Sequence, residues 1–179
     1  YDRLFASVFK NPDKMKAIIE CLGTKNAGYT RQEISKLTEI SAGGTLSDDL
    51  EALIASDFIV KYEPFGMGTR DECYKLVDPF CMFYLKFVKG KKSLDSSFWL
   101  ENLTSQTIIS WRGFAFENVC FNHVGQIKKA LGISGVNTSQ SLWSKRLDDA
   151  DGTQIDMIIE RADNVVNMCE LKFYSNEFV

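Results

Sequence analysis

Apolar residues recur at helical spacing through the first third of the chain. Met15, Ile18, Ile19 and Leu22 share one face of a 3.6-residue repeat, which predicts an amphipathic helix. Asn11-Pro12-Asp13 supplies its cap and a first-turn proline, where a missing N–H costs nothing. Thr30-Arg31-Gln32-Glu33 has the form of a capping box and opens a short helix with Ile34 and Leu37 inward. Ser41 is placed to cap a further helix whose inner stripe is Leu46, Leu50, Leu53 and Ile54. Two helices joined by a tight turn suggest a helix-turn-helix. The period then falls to two over residues 58–62 and 72–76, on either side of a loop containing Gly66 and Gly68, the pattern of a hairpin. Three helices followed by a hairpin predict a winged helix over residues 1–78.

Asp78-Pro79 caps a further helix whose apolar stripe is Phe80, Phe83, Tyr84 and Phe87. Residues 89–104 are polar, with Lys89, Lys91, Lys92 and several serines. Residues 79–104 therefore read as a connecting helix and linker. Residues 111–131 form one long helical pattern. After Gly132 the chain turns to strands at about 140–147, 154–161 and 165–173, separated by turns at 148–152 and at Ala162-Asp163-Asn164. Residues 105–179 thus read as a second, α/β domain, and the fold class expected is α+β.

Composition adds limits. The 179 residues are 45% hydrophobic and 25% charged, enough to build a core. Net charge is -3, from 21 basic and 24 acidic residues, so any nucleic-acid contact depends on a local basic patch. Cysteines stand at 21, 73, 81, 120 and 169 without a CxxC pair, and His123 is the one histidine. That argues against structural zinc and reads as reduced thiols of a cytoplasmic protein. Cys120 and Cys169 read as core thiols and His123 as an ordinary helix residue. The longest apolar run, residues 79–88, is broken by Lys86 and is too short to span a bilayer. No membrane association and no signal peptide are expected. The opening Tyr1-Asp2-Arg3-Leu4-Phe5-Ala6 reads as the middle of a helix, as in a fragment of a longer protein.

The segment with the most chemistry is Ile155-Asp156 followed by Cys169-Glu170-Leu171-Lys172. Magnesium is a hard cation that takes carboxylate oxygens and keeps several waters. A site that cuts phosphodiesters needs two or three carboxylates held together, and a nearby lysine can orient the attacking water and offset phosphate charge. Glu170 and Lys172 are two apart on a strand and share a face. Whether Asp156 joins them depends on register. A three-residue loop at Ala162-Asp163-Asn164 pairs Arg161 with Val165 and places Asp156 opposite Glu170. A four-residue loop puts Asp156 on the other face. The sequence permits both. The three-residue register gathers Ile155, Met157, Ile159, Cys169 and Leu171 on the opposite, buried face.

Trp111-Arg112-Gly113-Phe114-Ala115-Phe116-Glu117, then Ile155-Asp156, then Cys169-Glu170-Leu171-Lys172-Phe173 resembles the PD-(D/E)XK nuclease-like domain at the C-terminus of prokaryotic AAA-type ATPases. Tyr74-Lys75-Leu76-Val77-Asp78-Pro79-Phe80 resembles the junction after the winged helix in the same proteins. The resemblance implies a winged helix followed by a truncated nuclease-like domain over residues 105–179, ending before the family's last helix and strand. It implies Asp156, Glu170 and Glu117 as metal ligands for Mg2+ or Mn2+, with Asp156, Glu170 and Lys172 as the catalytic set and Lys172 activating water. It also implies an ATP-binding module upstream. Gly90-Lys91-Lys92-Ser93 lacks the spacing of a phosphate loop.

The function expected is metal-dependent cleavage of nucleic acid, DNA foremost, by a module of a larger ATPase, this fragment alone being inactive. The alternative is a silent nuclease-like fold used for protein or DNA binding. The candidate recognition helix carries Asp48, Asp49 and Glu51 outward, and carboxylates there repel the DNA backbone. The winged helix is therefore expected to pack or regulate rather than read bases. Ending at the third strand should leave apolar surface near Leu171, Phe173 and Phe178, and with it a homo-oligomer.

Overall fold

The computed structural model describes residues 1–68, 71–91, 97–147 and 150–174. The chain is α+β and divides into two units, Tyr1–Tyr62 with Arg70–Phe98, and Glu63–Thr69 with Trp99–Val179.

The first unit holds α1 (Asp2–Val8), α2 (Pro12–Leu22), β1 (Tyr29–Thr30), α3 (Arg31–Thr38), α4 (Gly44–Ala55), β2 (Ile59–Tyr62), β3 (Cys73–Leu76) and α5 (Pro79–Phe83). Its strands form an antiparallel sheet of order β1-β3-β2. Met15, Ile18, Ile19 and Leu22 of α2 are buried with Ile34, Leu46, Leu50, Leu53, Phe58 and Ile59 in one core, as their spacing requires. Thr30 Oγ1 accepts from Glu33 N at 3.3 Å while Glu33 Oε2 accepts from Thr30 N at 2.7 Å, so the capping box is closed.

Several expectations fail in this unit. Leu37 is 57% exposed, because α3 ends within a turn of it at a left-handed Glu39. Ser41 caps nothing, since α4 starts at Gly44 with Gly43 as its cap residue. Asp49 is buried beside Leu46, Leu50 and Leu53, so Asp48 and Glu51, not Asp49, face outward. Arg31 is exposed but tied to the helix pair, donating to Ala42 O and Ser47 Oγ at 3.0 Å each.

The two-residue β1 is too short for a periodic signal, and contacts from elsewhere in the unit fix it. Gly28 has φ +74°, and a Cβ there would lie 1.9 Å from Tyr74 O. Lys75, buried, donates to Asn26 O and Oδ1 at 2.5 and 2.8 Å. Tyr62 Oη donates to Ala27 O at 2.6 Å. Asp78 caps α5 by accepting from Cys81 N at 2.6 Å. That helix runs on as a wider π-helical turn over Tyr84–Val88, which rotates the side chains that follow it. Cys81 and Phe87 are buried while Phe80 is 47% exposed, so the expected stripe starts one position too early.

The second unit holds α7 (Gln106–Asn122), α8 (Val124–Ala130) and an antiparallel sheet of order β4-β5-β6, with β4 (Thr138–Leu147), β5 (Ala150–Arg161) and β6 (Val166–Cys169). A short helix, α6 (Phe98–Asn102), lies inside the stretch read as linker, and Trp99 meets Trp111 edge-on at 5.9 Å. The long helical pattern is two helices, α7 opening five residues early behind a Ser105 cap and breaking at His123, whose Nδ1 lies 2.8 Å from Val119 O. Gln140 Nε2 donates to Phe121 O at 3.3 Å and Phe116 packs on Phe173 at 5.7 Å, so α7 lies against the sheet. Ala150 to Gly152, read as a turn, belong to β5. Asp148, Asp149 and Phe178 fall outside the described residues. No described helix is long and apolar enough to cross a membrane.

Candidate functional site

The site begins with the turn after β5. Arg161 N donates to Val165 O at 2.9 Å and Asn164 N to Arg161 O at 3.1 Å. Asn164 takes the left-handed conformation, φ 64°, which asparagine tolerates better than most residues. Arg161 braces the turn by gripping the Asp163 carboxylate with Nε, at 2.9 Å, and Nη2. That hydrogen bond holds the Asp163 carboxyl below its usual range. The ladder therefore runs Glu160↔Val166 to Met157↔Cys169, the register of the three-residue loop, and Asp156 and Glu170 come next in it.

Regular pairing stops one residue short of that pair. On the other side of β5 the register slips between Ser141↔Ile158 and Trp143↔Ile155, so Asp156 and Met157 face the single residue Leu142. Such a bulge re-aims a side chain. The Asp156 carboxylate reaches β6 and accepts from Leu171 N at 2.8 Å through Oδ2, while Gln154 Nε2 lies 3.5 Å from Oδ1. A side chain thus satisfies an N–H that a longer ladder would have given to a carbonyl, and β6 ends at Cys169 rather than near 173.

Lys172 joins the two carboxylates. Its Nζ pairs with Glu170 Oε1 and stands 3.9 Å from Asp156 Oδ2. The hydrogen bond to Glu170 holds the Lys172 ammonium above its ordinary pKa of 10.5. Burial is unequal: the Asp156 side chain is 2% exposed, Lys172 48% and Glu170 59%. The expected polar face is therefore exposed only at Glu170 and Lys172, past the end of β6. Residues Asp156, Met157, Ile158 and Ile159 are all buried, so both faces of β5 are covered along this stretch.

Glu117 is half-buried on α7. Burial raises the pKa of Cys120 one turn away, and the Glu117 charge adds to it. Burial likewise raises Cys169, which leaves both thiols protonated near neutral pH and unreactive. Among the described residues no group of three His, Cys, Asp or Glu side chains is arranged to hold a metal. The structure thus brings Asp156, Glu170 and Lys172 together and leaves Glu117 outside that cluster. Two contributors were missed from sequence, Gln154 and the Leu171 N–H. The first had a signal in its two-residue spacing from Asp156; the second, a backbone group, had none.

The donor set suits a hard divalent ion. Two carboxylates converge on one cationic group, the Lys172 ammonium, and magnesium is commonly held by one or two carboxylates with water or phosphate completing its shell. No family model, curated protein or solved structure matches the chain.

Proposed function

We propose that this chain is a winged helix joined to a nuclease-type domain, and that Asp156 and Glu170 bind Mg2+ or Mn2+ for cutting nucleic acid, DNA foremost, within a larger ATP-driven protein. The observation that carries the reading is the convergence of Asp156 and Glu170 on the Lys172 ammonium, produced by the three-residue turn and the bulge at Asp156. The sheet order β1-β3-β2 with α2, α3 and α4 supports the winged helix.

When bound, the cation would supply Lewis acidity at a phosphoryl oxygen and a more acidic water. Asp156, held by Leu171 N–H, offers a fixed oxygen; Glu170 offers an exposed one. The half-exposed Lys172 supplies positive charge beside a phosphate and a donor that orients water. In the first unit Asp48 and Glu51 face solvent and Arg31 is spent on the helix pair, so α4 presents no cationic surface to a major groove. That unit serves packing or regulation.

The test is cleavage of linear, nicked, branched and single-stranded substrates with Mg2+ or Mn2+, with and without chelator, in the intact protein with ATP. Chelator should stop cutting and Glu170→Gln should abolish it. Cutting that survives Glu170→Gln undiminished sinks the assignment. A second reading, a silent fold used for binding, is favoured by the absence of a third acid in the described cluster, and it forecasts no cutting on any substrate.

A further inference from the structure

We propose that the Lys172 ammonium is the resident counter-ion of the Asp156–Glu170 pair, and that a divalent cation enters only by displacing it. The inference rests on the reading of this pair as a cation site and concerns how the site is loaded. Lys172 Nζ contacts Glu170 Oε1 and lies 3.9 Å from Asp156 Oδ2. Asp156 cannot turn away to offer its oxygens elsewhere. Oδ2 is fixed by Leu171 N–H at 2.8 Å, Gln154 stands at Oδ1, and the side chain is 2% exposed. An ion that joins both carboxylates must therefore approach where the ammonium stands.

Lys172 is free to yield. It is 48% exposed, and its four-carbon stem lets the charged head move into water. Before loading, the ammonium offsets the mutual repulsion of two carboxylates. After loading, it remains beside the site, where it can meet a phosphate. One residue thus holds the empty site together and resists its filling.

The charge arithmetic gives the size of the effect. A unit charge about 4 Å from a divalent ion in a water-like medium weakens binding by about thirtyfold. Movement of the lysine relieves part of that, so removing the ammonium should tighten binding by about tenfold.

The measurement is Mn2+ affinity by calorimetry for the wild-type protein, Lys172→Met, Lys172→Arg and the double variant Lys172→Met with Glu170→Gln. Lys172→Met should bind Mn2+ about tenfold more tightly than wild type. Lys172→Arg, which keeps the charge, should stay within about threefold of wild type and controls for local repacking. The double variant should lose the gain. Wild-type binding that Lys172→Met leaves equal or weaker would overturn displacement while leaving the cation site standing. No Mn2+ binding by either protein would overturn both.

Discussion

Asp156→Ala separates the two carboxylates of the candidate site by their structural roles. The substitution removes the acceptor of Leu171 N–H, a 2.8 Å bond to a charged group, and such bonds contribute about 1.5–3 kcal/mol. It also removes the 3.9 Å contact with the half-exposed Lys172, worth about 0.5 kcal/mol. Eliminating a buried charge gives part of this back. The net expectation is a loss of about 2 kcal/mol, with Asp156→Asn costing about 1 kcal/mol because an acceptor for the N–H remains. Glu170→Gln, at a side chain 59% exposed, should stay within about 0.5 kcal/mol of wild type. Trp99, Trp111 and Trp143 all lie in the second unit, so urea unfolding followed by tryptophan fluorescence reports the unit that carries the change. Faster hydrogen exchange at Leu171 should accompany the loss in Asp156→Ala. A variant as stable as wild type, or a Glu170→Gln equally costly, would refute the claim that Asp156 ends β6.

Two further outcomes concern the first unit. Gly28→Ala forces a Cβ to within 1.9 Å of Tyr74 O at φ +74° and should cost about 3 kcal/mol or more, read from urea unfolding by far-UV circular dichroism; an unfolding free energy within about 0.5 kcal/mol of wild type would contradict the close approach. Burial pushes the Glu33 carboxyl up, but the Thr30 N–H and hydroxyl outweigh it and hold the pKa below 4.5. Because the folded pKa is the lower one, this stabilisation is complete above about pH 4.5 and is lost as pH falls through the folded value. Glu33→Gln should therefore be less stable than wild type at pH 7, with the gap closing in acid; a pH-independent gap would remove the charge from the explanation.

Local rules were enough where one interaction range decides the outcome. The α2 stripe, the Thr30–Glu33 capping box and the Asp78 cap each depend on a few neighbouring residues, and each is present as its spacing demands. The hairpin was legible too, but its register was not, since three- and four-residue loops fitted the same letters. Arg161 closing the turn on Asp163 and the apolar contacts of β5 select one of them. Tertiary structure alone decided the rest. β1 exists because Asn26, Ala27 and Gly28 are held by Lys75, Tyr62 and the Tyr74 backbone. Asp49 is buried although it looks like a surface residue, because rotation of α4 about its axis is set by Leu46, Leu50 and Leu53. The burial of Asp156 follows from a bulge opposite Leu142 and a strand covered on both faces, and neither is encoded within two residues of it. Sequence fixes what a residue can offer within a turn or a strand repeat; which side of a strand or helix faces the core depends on partners far away in the chain, whose contacts exist only once the sheet has assembled.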